Sequence, residues 1–351
     1  MIKIKLLQGL LSVILFTLVF CNVNYAQPRV IKCKGDCGQI DITKQYSAVA
    51  RLCFGDGNGG EVTFIDDDII ITEGHVFGIN PDSRKLPCCG EECKKYSPDW
   101  KRFNKKMYIC DGADYGRAGK TIIGRVIDFS ARMTGQPPGY DIAVAHVDRN
   151  CDKCDKSVKI NPIPLANKLP PLGAIAVHVH VGDPRDKNIR RFSDHKLIWP
   201  ALSTTSKDGT ELSCTSQVMR HDGDINPPMV FNTSGSPVLV EECGESVVHG
   251  MHGRGMDHNK MMYETLQLVQ TQKSWVQKWV TKWTGKEYLL DTCSKSGQRS
   301  FIKNMSFSIP QMECNTKKVK DMSRKPASIC LIQRGANKVI FNDAFMDEIT
   351  R

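Results

Sequence analysis

Phe231-Asn232-Thr233-Ser234-Gly235-Ser236-Pro237-Val238 sets a serine in a tight, glycine-followed turn just before an apolar run, Pro237-Val238-Leu239-Val240, that reads as a β-strand. A serine hydroxyl at its ordinary pKa is a weak nucleophile. It becomes reactive when a histidine accepts its proton and a carboxylate orients that histidine. Both partners stand upstream. Ile69-Ile70-Ile71-Thr72-Glu73-Gly74-His75-Val76 is an apolar strand that ends on a histidine, and Gly139-Tyr140-Asp141-Ile142-Ala143-Val144-Ala145 opens another strand on an aspartate. The chain order is His75, Asp141, Ser234.

Taken together, these segments resemble the trypsin/chymotrypsin-like serine proteases, whose signatures read roughly T-A-A-H, D-I-A-L and G-D-S-G-G-P. Any one of them is a weak signal; three in the right order, each at a predicted strand end, form a joint one. The resemblance implies an all-β fold of two antiparallel six-stranded β-barrels with a C-terminal helix. It also implies roles: Ser234 attacks the scissile carbonyl, His75 takes its proton and returns it to the leaving amine, and Asp141 holds the imidazole tautomer. The oxyanion hole would come from the backbone N–H groups of Asn232 and Ser234. The family has glycine where Asn232 stands, but asparagine tolerates positive φ better than most side chains. Loss of one such donor lowers the rate ~10²–10³-fold.

Two departures bear on subfamily. Thr233 replaces the aspartate that pairs with a new N-terminus in trypsin-type zymogens, and no Ile-Val-Gly-Gly start follows Ala26. In this the Thr-Ser-Gly-Ser-Pro run looks more like viral and bacterial members. Pro228 stands where trypsin has its acidic specificity residue. The segment Val248-His249-Gly250-Met251-His252-Gly253-Arg254-Gly255 resembles the G-x-H-x-G-G strand of picornaviral proteases, in which the histidine helps read a P1 glutamine. His252 and Gly253 are therefore expected substrate-binding residues, the alternative for His252 being a solvent-facing turn histidine. His178, His180 and His195 are expected to be structural or surface residues without a partner in the serine turn.

The N-terminus carries Lys3 and Lys5 ahead of an apolar run from Leu10 to Phe20 and Asn24-Tyr25-Ala26, the pattern of a secretory signal peptide over residues 1–26. That run is short for a membrane span. Formal net charge is +10, two of which belong to the leader lysines, and the basic clusters lack the interleaved aromatics of a base-stacking surface. Of 15 cysteines, Cys21 falls in the leader and an even number remains, so an exported chain is expected to hold disulfides. Cys33/Cys37, Cys88/Cys89/Cys93 and Cys151/Cys154 alternatively suit structural zinc.

Short β-rich runs separated by Gly- and Asp-rich turns place a first barrel at about residues 40–160. Residues 80–119 interrupt them with prolines, cysteines and lysines and read as a surface insertion. A proline-rich linker, Asn161 to Gly173, leads to a second barrel at about 170–270 and a helix at about 266–284, with Trp275, Trp279 and Trp283 on one face. The protease-like region thus spans 27–285. Residues 286–351, a tail containing Cys293, Cys314 and Cys330, lie beyond the resemblance.

The expected function is a secreted or periplasmic serine endopeptidase acting on protein or peptide substrates. No metal or cofactor enters its chemistry, and neither a nucleic-acid partner nor membrane attachment after leader removal is expected. The alternative is a catalytically inactive relative that binds a protein through the same cleft; a third reading is a disulfide- or zinc-stapled extracellular binding module. Asn232-Thr233-Ser234 and Asn304-Met305-Ser306 are glycosylation acceptors, and a glycan on Asn232 would cover the nucleophile.

Overall fold

In the computed structural model the described residues are 39–41, 43–53, 59–80, 88–102, 107–111, 121–133, 140–167, 175–181, 190–205, 211–220, 233–258, 261–286, 328–332 and 339–341. All belong to one unit, Lys32–Arg351. The expected leader at residues 1–26, the Cys33/Cys37 pair, Pro228 and Asn232 lie outside the described residues.

The first sheet grows from apolar and β-branched runs, which suit strands whose successive residues are buried on both faces, as in β2, β4 and most of β8. β1 (Gln39–Ile40) is followed by β2 (Val49–Cys53), β3 (Glu61–Asp66) and β4 (Ile69–Thr72), with Asp67-Asp68 turning the β3–β4 hairpin. β5 (Cys88–Gly90), β6 (Met107–Cys110), β7 (Ile122–Met133) and β8 (Asp141–Asp148) complete this half. Antiparallel pairing runs β2–β3–β4–β8–β7–β6 and returns to β2, which closes a six-stranded barrel; β5 adds to β7 outside the ring. Closure removes the exposed strand edges that would otherwise invite pairing with other chains.

The second half contains β9 (Ile175–His180), β10 (Arg191–Thr205), β11 (Glu211–Arg220), β12 (Pro237–Glu242), β13 (Glu245–His258) and β14 (Met261–Leu268). They pair in the ring β9–β10–β11–β14–β13–β12–β9, a second closed six-stranded barrel. β1 pairs with β10, tying the start of the described chain to this barrel. The connector between barrels is pinned as well: Val248 donates to Pro164 O at 2.8 Å, Ala166 donates to Val248 O at 2.8 Å, and Ile163 donates to Phe64 O at 2.9 Å.

Three sequence expectations change. Residues 80–119 are more than surface decoration, because Met107 and Ile109 are fully buried and β6 is a stave of the first barrel between β2 and β7. The short helix Pro98–Arg102 sends Trp100 edge-on against Phe129 at 5.0 Å, and Phe129 stacks on Phe77 at 4.3 Å. The apolar run Met107-Tyr108-Ile109-Cys110 carried this signal but is only four residues long and sits between Lys105-Lys106 and Asp111-Gly112. Secondly, the C-terminal helix spans Lys273–Thr284, not 266–284; Leu266, Gln267 and Leu268 end β14, where ladder bonds to β13 outcompete the helical period. Val276, Trp279 and Val280 are its buried face, and Gly285 stops it at φ 69° with its N–H on Thr281 O. Trp283 stacks near His146 of β8 and donates to Asp128 of β7, so the helix docks on the first barrel. Thirdly, the tail adds β15 (Ser328–Ile332) and β16 (Val339–Phe341), a hairpin that extends β10, with Cys330 paired opposite Ala201.

Disulfides join Cys53–Cys110, Cys88–Cys93 and Cys151–Cys154, and Cys89 and Cys243 are also disulfide-bonded. The zinc reading of the Cys88/Cys93 and Cys151/Cys154 pairs is thereby corrected. Among the described residues no helix is long and apolar enough to cross a membrane.

Candidate active site

His75 leaves β4 on a single 3-10 turn, Gly74–Phe77, that follows Thr72 and Glu73. β4 is paired with β8, with Thr72 opposite Ala143, so the strand that delivers the histidine lies beside the strand that begins with the aspartate. Asp141 grips the turn at two points: Oδ1 accepts the His75 backbone N–H at 3.0 Å and Oδ2 meets the ring Nδ1 at 2.7 Å. With a carboxyl oxygen of Asp141 as acceptor opposite it, Nδ1 is the protonated nitrogen, leaving Nε2 as the base. Gly74 makes the approach possible, since a Cβ there would sit 2.1 Å from Met133 Sδ and 3.2 Å from Asp141 Oδ1. Ser97 and Trp100 support the same turn: Ser97 Oγ donates to Phe77 O and Trp100 N–H donates to Ser97 Oγ at 3.0 Å.

Burial works to lower the His75 pKa, but the charge of Asp141 and its hydrogen bond outweigh that and hold the imidazole above its ordinary value. Asp141 is buried, and its backbone N–H donates to Gln267 Oε1 on β14 at 2.9 Å. A second carboxyl stands beside this pair. Glu73 is fully buried, with Oε2 3.5 Å from His75 Nδ1, and neither of its oxygens is hydrogen-bonded among the described residues. Burial first, then the negative charge of Asp141, pushes its pKa well above the usual carboxylate range. Glu73, His75 and Asp141 each offer one ligand atom, all within 4.8 Å of one another.

The serine turn comes from the second barrel and seats on the same place. Gly235 at φ 87° shapes it; a Cβ there would meet Thr72 Oγ1 at 2.1 Å and Glu61 O at 2.3 Å. Ser236 N–H donates to Thr233 O at 2.9 Å and Glu61 N–H donates to Ser234 O at 2.7 Å. Gly60 lies against both Val76, the residue after His75, and the Ser234 carbonyl. The turn is thus packed onto the end of β4 and the His75 turn. Among the described residues Ser234 Oγ donates to Gly253 O at 3.4 Å and not to His75. Hydrogen bonds of this kind are often long or misdirected in substrate-free enzymes and tighten on binding.

Behind the turn lie histidines that the sequence reading placed differently. His252 is buried, not solvent-facing: its Nδ1 meets Thr233 Oγ1 at 3.1 Å, its carbonyl accepts the Gly235 N–H at 2.8 Å, and its N–H donates to Ser236 O at 2.8 Å. His178 does have a partner in the serine turn, Ser236 Oγ at 2.6 Å from Nε2, and its ring lies 5.4 Å from His252 and 5.6 Å from His180. His178 and His180 are two apart on β9 and both buried; alternation puts them on one face, a signal the sequence held. Glu73 was equally legible, two residues before His75. Gln267 had no sequence signal, because it reaches Asp141 only through the docking of one barrel on the other.

No protein-family model matches the chain and no curated protein matches it. Among solved structures, a double mutant of human heparin binding protein (CAP37) is similar at 14% identity over 71% of this chain and 97% of that chain, with a TM-score of 0.48. The chain's own topology, two closed six-stranded antiparallel barrels followed by a helix, is chymotrypsin-like.

Proposed function

We propose that this protein is a serine endopeptidase. The observation that carries the reading is the two-point grip of Asp141 on His75, with the serine turn of the other barrel packed onto the same strand end. In the proposed reaction, Nε2 of His75 accepts the proton of Ser234 as its Oγ attacks the carbonyl carbon of a peptide bond. The Asp141 carboxylate stabilises the resulting imidazolium, which then protonates the leaving amine. Water repeats the sequence on the acyl-enzyme. The N–H of Ser234 and that of Asn232 receive the oxyanion. His252 and Gly253 flank the P1 position, and the substrate is a protein or peptide met outside the cytoplasm, where disulfides of the kind present here persist.

One observation favours the second reading, a catalytically inactive protein-binding relative: the Ser234 hydroxyl is directed at Gly253 O. A fluorophosphonate probe separates the two, since only a base-activated serine is attacked by it at useful rates. The expected result is stoichiometric labelling at Ser234, lost in Ser234→Ala and in His75→Ala. Folded protein that stays unlabelled supports the binding module instead.

A further inference from the structure

We propose that Glu73, His75 and Asp141 form a divalent-cation site, of the class that takes zinc, on the Nδ1 side of the imidazole, and that its occupation switches the hydrolase off. The inhibition rests on the endopeptidase reading; the binding does not.

The first support is geometric. Zinc holds histidine nitrogen and carboxylate oxygen at ~2.0–2.2 Å in tetrahedral sites, which sets two ligands roughly 3.3–3.5 Å apart. His75 Nδ1 and Glu73 Oε2 already stand 3.5 Å apart. His75 Nδ1 and Asp141 Oδ2, now hydrogen-bonded at 2.7 Å, need to separate by well under an ångström to match. All three ligand atoms fall within 4.8 Å of one another. The second support is Glu73 itself, whose Oε2 lies 3.5 Å from His75 Nδ1 and whose two oxygens are buried without a hydrogen bond among the described residues. Buried polar atoms are satisfied almost everywhere in folded proteins, so an exception points to a missing partner. The third is access: the His75 side chain is 29% exposed while both carboxyl groups are buried, so the imidazole is the movable wall of the site.

The proton accounting explains the inhibition. Without the cation, Nδ1 donates to Asp141 and Nε2 keeps the free lone pair. On binding, the cation takes the lone pair of Nδ1, and the single proton of the neutral ring sits on Nε2. An Nε2–H imidazole has no lone pair with which to accept the proton of Ser234.

The test uses full-length, tag-free protein, first as Ser234→Ala so that no activity is involved. Calorimetric titration with zinc chloride should show one bound ion per chain, and cobalt(II) substitution should give the visible absorption of a four-coordinate site. Glu73→Gln and His75→Ala should each weaken binding at least about tenfold. No binding by Ser234→Ala, or undiminished binding in either variant, overturns the site. Thermal unfolding tests whether both variants are folded. If Glu73→Gln is not, His75→Ala carries the comparison, because its side chain is partly exposed. In the wild type, zinc should abolish fluorophosphonate labelling and EDTA should restore it. Metal-free wild type that never labels defeats the endopeptidase reading alone and leaves the calorimetric result standing.

Discussion

The backbone N–H of Asp141 donates to the side-chain carbonyl of Gln267 at 2.9 Å, so the residue that opens β8 in the first barrel is anchored by the last turn of the ladder in the second. Both groups are buried. Gln267→Ala leaves that N–H unsatisfied at a cost of about 1–3 kcal/mol. It should also loosen Asp141 against His75, and urea unfolding together with kcat/KM on one peptide substrate reads both. A variant as stable as wild type with unchanged kcat would show that the barrels position Asp141 without this bond.

Gly235 tolerates no side chain. A methyl group there would overlap Thr72 Oγ1 and the Glu61 carbonyl while forcing φ 87° on an L-residue. Gly235→Ala should lower stability by about 1–3 kcal/mol through overpacking and should lift the serine turn off β4, with loss of probe labelling at Ser234. Stability comes from chemical denaturation and labelling from mass spectrometry; full labelling would mean that the turn need not seat on Thr72.

Asp141 holds the His75 pKa above its ordinary 6.5 despite burial. The imidazole acts as a base only when neutral, so the acid limb of kcat/KM should lie above pH 6.5 when measured with chelator present. Asp141→Asn should lower kcat and move that limb downward. The same raised pKa makes the imidazolium–carboxylate contact stabilising below the unfolded histidine value and progressively lost as pH rises through the folded one. An acid limb below 6.5 in the wild type would contradict this.

His249 behaves in the opposite sense. It is fully buried, with Gln270 Nε2 2.6 Å from Nδ1, and burial lowers its pKa from 6.5 to about 3. Between those values the unfolded chain binds a proton that the folded chain refuses, so stability falls as pH drops from 6.5 towards 3, by up to ~1.4 kcal/mol per unit. His249→Gln should flatten that slope in denaturation curves taken at pH 4, 5.5 and 7. An unchanged slope would assign the acid sensitivity to other groups.

Cys53–Cys110 ties β2 to β6 across 57 residues and so holds β6 in the barrel wall. Its removal as a Cys53→Ala/Cys110→Ala pair should lower stability by about 2–4 kcal/mol. Chelators should leave the fold intact, because the described cysteine clusters are disulfides. Unfolding of the oxidised protein by chelator alone would be the contrary result.

The amino-acid sequence by itself determined the strand-forming runs and the order of the site segments. β-Branched residues at Ile69–Ile71, glycine after Ser234 and aspartate at the head of Ile142–Ala145 are local choices, and local sterics act within a few residues. It also held the two-barrel division, because the proline-rich connector interrupts alternation. Tertiary structure alone decided the rest. Whether Met107–Cys110 is decoration or a barrel stave depends on β2 and β7 offering unpaired edges on both sides of it. Whether Leu266–Leu268 is strand or helix depends on the ladder with β13. The raised pKa of Glu73 is likewise invisible in one dimension: it comes from the exclusion of water and from Asp141, 68 positions away in the chain and brought alongside only when β4 pairs with β8. Ionisation responds to distance in space, and only the closed barrel defines that distance.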